Sequence, residues 1–421
     1  MGFASAWLEK NALFPAFISE APDKNTGIIV VIPAFNEPDI VSLLDSLKGC
    51  REPGCKAEIL IVINAPTYAS GESLINNKLC MENAESWKKA NKGIFFRLFV
   101  FNTGNHGLKN WGVGLARKSG MDEALRRFDL IGNPGGAIVS LDADCTVKDN
   151  YLTEIFSRLV KHRDHKACSI YFEHPLSGID FGNRVYRIVT LYELHMRYYL
   201  QGLIYSGFPY AVHTVGSAMA CKAMQYMKAG GMNRRKAGED FYFIQKLLPL
   251  GGHFSLNSTA VYPSPRESFR APFGTGATIT KMLAGNEEQL YTYNFASFKD
   301  LQQLFIRIRD LYQLSHRQLI QSHGDLPEGL RSFIPGSEWH NKIIEIQENT
   351  ASIESFCKRF FTWFNMFRIV KYLNYLAAGF YEKQPVAEAA SELLSATGSK
   401  FSTSDPLELL SIYREMETVP H

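Results

Sequence analysis

No pair of cysteines stands at C-x-x-C spacing. The seven cysteines (Cys50, Cys55, Cys80, Cys145, Cys168, Cys221 and Cys357) are odd in number and scattered. Neither a disulfide framework nor a structural zinc site is therefore expected, and a reducing compartment fits the chain better. A run of about 18 apolar residues, the length of a spanning helix, is also missing. The most apolar late segment, Phe356 to Tyr381, is interrupted by Lys358, Arg359, Arg368 and Lys371. The opening residues lack a basic start followed by an apolar block, so they do not read as a secretory signal. Excess charge of one sign is lacking too. The 45 Lys and Arg against 42 Asp and Glu leave a net +3, too even a balance to recruit nucleic acid or an acidic partner by charge alone. Internal repeats and low-complexity linkers are absent. These absences predict a cytoplasmic protein with no nucleic-acid partner.

What is present is globular. With 46% hydrophobic and 21% charged residues, wholesale disorder, collagen-like repeats and coiled coil are excluded. At ~150 residues per domain, the length suggests two or three domains. Four short apolar runs, 27–33, 57–66, 94–101 and 136–144, read as buried strands. After the first, Ile40, Leu43, Leu44 and Leu47 recur at helical spacing, with Pro38 suited to a first turn, Asn36 to an N-cap and Gly49 to a stop. Strands alternating with helices predict a mixed, mostly parallel α/β sheet of Rossmann-like kind. Further on, 169–175, 211–221 and 253–263 read as strands, and 181–206 and 238–248 as helices. From about Asn286 the pattern is helical to the end.

In an open parallel sheet, ligands sit off the carboxyl ends of the strands. The residues that matter are then Asn36 and Glu37, Asn64, the segment after Phe101, and Asp142 with Asp144. The sharpest feature is Ser140-Leu-Asp142-Ala-Asp144-Cys-Thr-Val147. Two carboxylates at i and i+2 beyond a strand can hold Mg²⁺ or Mn²⁺ and leave positions open for substrate phosphates; the alternative is a solvated turn.

Four segments, in order, resemble family 2 inverting glycosyltransferases of the A-type nucleotide-sugar-binding fold. IIVVIPAFNEPDIVSLLDSL resembles their opening strand, P-x-x-N-E and helix. NWGVGLARKSGMDEAL resembles their G-x-x-x-A-R-N-x-G helix, with Gly112 or Gly114, Ala116, Arg117 and Gly120, and Lys118 in place of Asn. SLDAD resembles the D-x-D. GSAMACKAMQYMKAGGMNRRKAGEDFYFIQKL resembles the acceptor segment that ends in E-D. The resemblance spans roughly 27–275. Q-x-x-R-W and membrane spans are missing, which sets chain-elongating synthases aside and favours transfer of one sugar.

The chain then reads as an N-terminal extension over 1–26 and a helical C-terminal region over 286–421, neither covered by the resemblance, on either side of a catalytic domain over 27–285 with a nucleotide-sugar half (27–150) and an acceptor half (151–285). The resemblance implies that Pro33, Ala34, Asn36, Glu37 and Asn64 would line the nucleotide, although a carboxylate such as Glu37 also suits a helix start. Asp144 would bind a divalent Mn or Mg ion, and Asp142 the ion, the ribose or the sugar. Arg117, Arg266 and Arg270 would serve the diphosphate, Arg117 having the alternative of a solvated charge on a helix face. His253 reads as a further metal ligand or a structural histidine. Asp240 would be the catalytic base, with Glu239 on substrate hydroxyls. The donor would be a UDP- or GDP-sugar, and the acceptor a carbohydrate or a lipid-linked one.

Three other readings compete. Asp142 to Val147 fits the D-x-D-x-T/V of haloacid-dehalogenase-type phosphatases letter for letter. That family carries the motif after its first strand and needs a later acidic pair, whereas three strand-like segments precede it here and no such pair is found. A sugar nucleotidyltransferase needs a Gly-rich basic loop after strand one, and PAFNEPD has neither feature. A binder without catalysis would not need both Asp144 and Asp240. The segment KRFFTWFNMFRIVKYLNYLAAGFY reads as a packed helix with its aromatics inward, with peripheral membrane contact as the other reading.

Overall fold

Nine consecutive buried residues form Thr26–Ala34 (β1), a continuous apolar run of the kind a strand covered on both faces requires. The structure, a computed structural model, describes residues 2–104, 112–235, 237–268, 272–399 and 403–418. The chain divides into two compact units, 1–181 with 214–280 and 182–213 with 281–421.

The first unit holds the sheet. Lys56–Ile63 (β2) and Ala137–Ser140 (β4) flank β1, both parallel to it, and Phe96–Asn102 (β3) lies parallel to β2. Cys145–Val147 (β5), Ala167–Phe172 (β6), Met219–Lys222 (β7) and His253–Pro263 (β8) complete the order β3-β2-β1-β4-β7-β6-β8-β5. Pairs β4–β7, β6–β7 and β5–β8 are antiparallel, and β6–β8 is parallel. The mixed, mostly parallel sheet expected from the sequence is thus present, together with the helical region.

Pro33 is tolerated inside this sheet for a local reason. The Leu141 amide bonds to the Val31 carbonyl, so Val31 faces β4, and the Asn64 amide bonds to the Ala34 carbonyl, so Ala34 faces β2. Pro33, two residues from Val31, therefore turns its missing N–H toward β4, whose ladder with β1 has already ended at Val31.

The first eight helices in chain order are α1 (Ser5–Asn11), α2 (Val41–Lys48), α3 (Gly71–Ala90), α4 (Val113–Leu130), α5 (Tyr151–Ile155), α6 (Asn183–Tyr205), α7 (Ala223–Lys228) and α8 (Glu239–Leu247). All but α6 belong to the first unit. Helix α4 lies against the sheet so closely that a Cβ at Gly120 would fall 2.3 Å from Val31 Cγ1 and 2.8 Å from Val62 Cγ2.

Several expectations need correction. Asn36 does not cap α2, which begins at Val41. Its φ is +56°, and α3 holds it there: the Asn36 amide donates to Asn77 Oδ1 at 2.8 Å and Asn76 Nδ2 donates to Asn36 Oδ1 at 2.7 Å. Asn is among the few residues that adopt this left-handed geometry readily. The strand expected over 211–221 shrinks to Met219–Lys222, since only four residues pair with β4. The strand expected over 136–144 ends at Ser140, where the Cys145 amide closes a turn on the Asp142 carbonyl. Residues 182–213, expected in the acceptor half, group with the helical unit.

The second unit is built on α6, which packs against Val386–Ala396 and Pro406–Thr418. Buried charge joins them: Arg197 bridges Glu193 and Glu417, and Arg414 Nε donates to Glu193 at 2.7 Å. The aromatic segment near 358–381 forms Ile353–Trp363 and Met366–Gly379, with Phe360, Phe364, Ile369, Tyr372 and Leu376 fully buried. Of its aromatics, Phe360, Phe364 and Tyr372 point inward, whereas Tyr375 and Phe380 are exposed. Among the described residues, no helix is long and apolar enough to cross a membrane.

Candidate functional site

The carboxyl ends of β1 and β4 lie side by side because the strands pair in parallel from Ile28–Ala137 to Val31–Ser140. The segment carrying Asn36 and Glu37 therefore emerges next to the turn carrying Asp142 and Asp144. β8 delivers a third segment to the same place. Its last residue, Pro263, pairs with Cys145, and the Ser264 amide donates to the Asp144 carbonyl at 3.2 Å. Arg266 lies two residues further on. Its Nε donates to Asp144 Oδ2 at 3.0 Å, and its Nη2 donates to Glu37 Oε1. The Glu37 side chain is 4% exposed, against 23% for Asp144 and 28% for Arg266. Burial alone would lower the Arg266 pKa, but the charges of Asp144 and Glu37 outweigh it and hold the guanidinium more firmly protonated than usual.

A second arginine organises the other half. Arg117, on α4, is buried. Its Nε donates to Ser140 Oγ at 2.9 Å, and its two terminal nitrogens donate to Asp142 Oδ1 and Glu239 Oε1. The solvated-charge reading of Arg117 is thereby removed. Gly216 makes room for this fork, since a Cβ there would lie 2.7 Å from Arg117 Nη1. Glu239 is the first residue of α8 and is buried beside Arg117. Asp240 follows it, half-buried, with Oδ1 accepting from the Phe241 amide at 2.7 Å. Burial raises the Asp240 pKa and the Asp142 charge adds to it, while Arg117 and the Phe241 and Gly216 amides pull it down. Asp240 is not the helix cap, because Gly238 holds that position.

The remaining expected residues fall as follows. Pro33 and Ala34 are buried in β1 beneath the site. Asn64 is buried, its Nδ2 donating to the Gly112 carbonyl at 3.2 Å while its own carbonyl accepts from Asn77. Arg270 lies outside the described residues. His253 begins β8, at the opposite end of that strand from Asp144, with Nε2 3.3 Å from Ser169 Oγ. Burial lowers its pKa to about 4. Its place at the far end of β8 and its contact with Ser169 make it a structural histidine and not a partner of Asp142 and Asp144. Residues the sequence reading did not single out are Asn76, Asn77, Ser140 and Gly216. Ser140 stands inside the D-x-D segment and Gly216 opens the acceptor-like segment, but nothing local marks the two asparagines as supports of the site.

Among the described residues, no group of three His, Cys, Asp or Glu gathers that would hold a metal unaided. Asp144 and Glu37 nevertheless converge on one cation, the Arg266 guanidinium. That donor chemistry fits a hard divalent ion whose other positions are filled by substrate phosphate oxygens and water. The thiols offer no nucleophile of comparable standing. All seven are free, and burial pushes Cys80 up to about 12 and Cys50 to about 11.

No family model and no curated protein matches the sequence. Among solved structures, residues 1–349 of S. aureus TarS in complex with UDP-GlcNAc are similar at 14% identity, over 78% of this chain and 89% of that chain, with a TM-score of 0.39. The same portion of TarS in complex with UDP is similar at 13% identity, over 89% and 92%, with a TM-score of 0.38. The mannosyltransferase PcManGT from Pyrobaculum calidifontis, in complex with GDP-Man and Mn²⁺, is similar at 12% identity, over 89% and 92%, with a TM-score of 0.37. Likeness at this level carries no functional argument, which has to come from the side chains of this chain.

Proposed function

We propose that this chain transfers one sugar from a nucleoside-diphosphate sugar to an acceptor hydroxyl, with inversion at the anomeric carbon and with the help of a divalent ion. The observation that carries the reading is the assembly of Glu37, Asp142, Asp144 and Glu239 at one end of the sheet by two arginines, Arg266 and Arg117, with Asp240 next to Glu239 in the chain. Carboxylates from the D-x-D turn and from the start of α8 are thus coupled through the single guanidinium of Arg117.

In this reading Asn36 and Glu37 border the nucleotide, with Pro33, Ala34 and Asn64 shaping the floor beneath. Asp144 and Asp142 would hold the ion, which supplies Lewis-acid charge to the departing diphosphate. Arg266 adds positive charge on the same side, and Arg270 is assigned there by residue type. The acceptor oxygen forms its bond to the anomeric carbon as the bond to the diphosphate oxygen breaks, and Asp240 takes the hydroxyl proton. A base works best with a pKa near the operating pH, and burial moves Asp240 upward, in that direction. Glu239, already on Arg117, holds the arrangement in place. The donor is a UDP- or GDP-sugar, and the acceptor a carbohydrate or a lipid-linked one.

The phosphatase reading gives Asp142 a nucleophile's role, yet that carboxylate is held by Arg117 at the end of the fourth strand. Screening nucleotide sugars by thermal shift, with and without Mn²⁺, tests the proposal, since a ligand bound only by the folded protein raises its melting temperature. Failure of every UDP- and GDP-sugar to shift it would contradict the reading.

A further inference from the structure

The position expected for a divalent ion, beside Asp144, already holds a positive group of the protein's own. Arg266 Nε donates to Asp144 Oδ2 at 3.0 Å, and its Nη2 reaches Glu37 on the neighbouring segment. Two carboxylates this close, one of them only 4% exposed, repel each other and are poorly hydrated. A cation between them relieves both penalties.

We propose that Arg266 is an internal cation that occupies the divalent-ion position in the donor-free protein and competes with the ion for Asp144. The inference rests on the nucleotide-sugar reading only for what displaces the arginine. The competition itself follows from geometry, because Asp144 Oδ2 is the oxygen Arg266 uses, and a metal bound there meets the guanidinium. The backbone leading to Arg266 is pinned by the bond from the Ser264 amide to the Asp144 carbonyl. The part able to move is therefore the side chain, which is 28% exposed and has an outlet to solvent.

A consequence for binding order follows. Before a nucleotide arrives, an ion must displace an ion-paired arginine and gains only water in exchange, so it binds weakly. When an ion and a diphosphate arrive together, the ion takes Asp144 and the released guanidinium meets phosphate oxygens, for which its planar fork is well shaped. Arg266 would then keep Asp144 and Glu37 converged without donor and commit the ion to the site only with it.

The test uses Mn²⁺ alone, titrated into nucleotide-free full-length protein, with free Mn²⁺ read by electron paramagnetic resonance. Arg266→Met is compared with the parent and with Arg51→Met, which removes the same charge from an exposed pair with Asp149. Charge-assisted hydrogen bonds are strong enough that Arg266→Met should bind Mn²⁺ about tenfold more tightly than the parent, with Arg51→Met like the parent. Arg266→Lys keeps the charge but loses the fork, and should fall between them; it also serves if the Met variant does not fold. Equal affinity in parent and variant, including no binding by either, overturns the proposal. A parallel titration with UDP and GDP separates the two ideas. Absence of nucleotide binding by the parent would count against the glycosyl-transfer reading and leave the Mn²⁺ comparison standing.

Discussion

Arg117 and Glu239 form an ion pair in which each side chain is only 3% exposed. The same guanidinium holds Asp142 and Ser140. One residue of α4 thereby ties the turn after β4 to the start of α8. With its nitrogens engaged by three oxygens, Arg117 is better suited to positioning the carboxylates than to gripping a diphosphate, and its role shifts accordingly from the one expected of it.

Removing one partner of a buried charge set leaves the others uncompensated, which costs about 3–5 kcal/mol. Arg117→Leu should lose that much in chemical denaturation, and Arg117→Lys less, since it keeps the charge and loses the fork. A loss below about 1 kcal/mol, the scale of an exposed pair, would mean that the network contributes little to the fold.

Asp240 has a separate signature. Asn is nearly the same size but cannot accept the proton, and general base catalysis contributes ~10²–10⁴-fold. Asp240→Asn should therefore slow transfer by about that factor and leave donor affinity close to the parent's, a split that distinguishes a base from a binding group. Near-parental turnover in the Asn variant would pass the base role to Glu239.

In the helical unit, Asp300 is buried and accepts from Tyr372 Oη at 3.1 Å and Tyr381 Oη at 3.2 Å. Burial raises its pKa, and the two hydroxyl bonds offset this only in part. A carboxyl group whose folded-state pKa is raised contributes stability below its unfolded pKa of about 3.9 and loses it as pH climbs through the folded value. Asn has no such dependence. The stability of Asp300→Asn relative to the parent should thus improve from acid toward neutral pH, as thermal melts at several pH values would record. A difference that stays flat or worsens with rising pH would show that Asp300 is well solvated.

The strands that carry the site were legible because burial on both faces demands unbroken apolar runs, and β1 is one. Polar residues at the ends of those runs were legible as site candidates for the same topological reason. What escaped depends on distant partners. Asn36 looked like a helix cap, and only its bonds to Asn76 and Asn77 account for its left-handed backbone. Arg266 was recognisable as a basic residue soon after the end of a strand, yet nothing near it in sequence points to Glu37. Helix α6 was readable as a helix, but it is buried against Val386–Ala396 and Pro406–Thr418, through pairs such as Arg414 with Glu193. Local sequence does not encode that pairing or, with it, the grouping of 182–213 with 281–421.

The central claim is that Asp144 joins a divalent ion to a nucleotide sugar. Calorimetric titration of UDP- and GDP-sugars into the parent and into Asp144→Ala, each with Mn²⁺ or with EDTA, tests it most directly. The account predicts Mn²⁺-dependent binding of one donor class by the parent, and loss of that dependence in a variant that remains folded. Equal affinity in both proteins regardless of EDTA would contradict it.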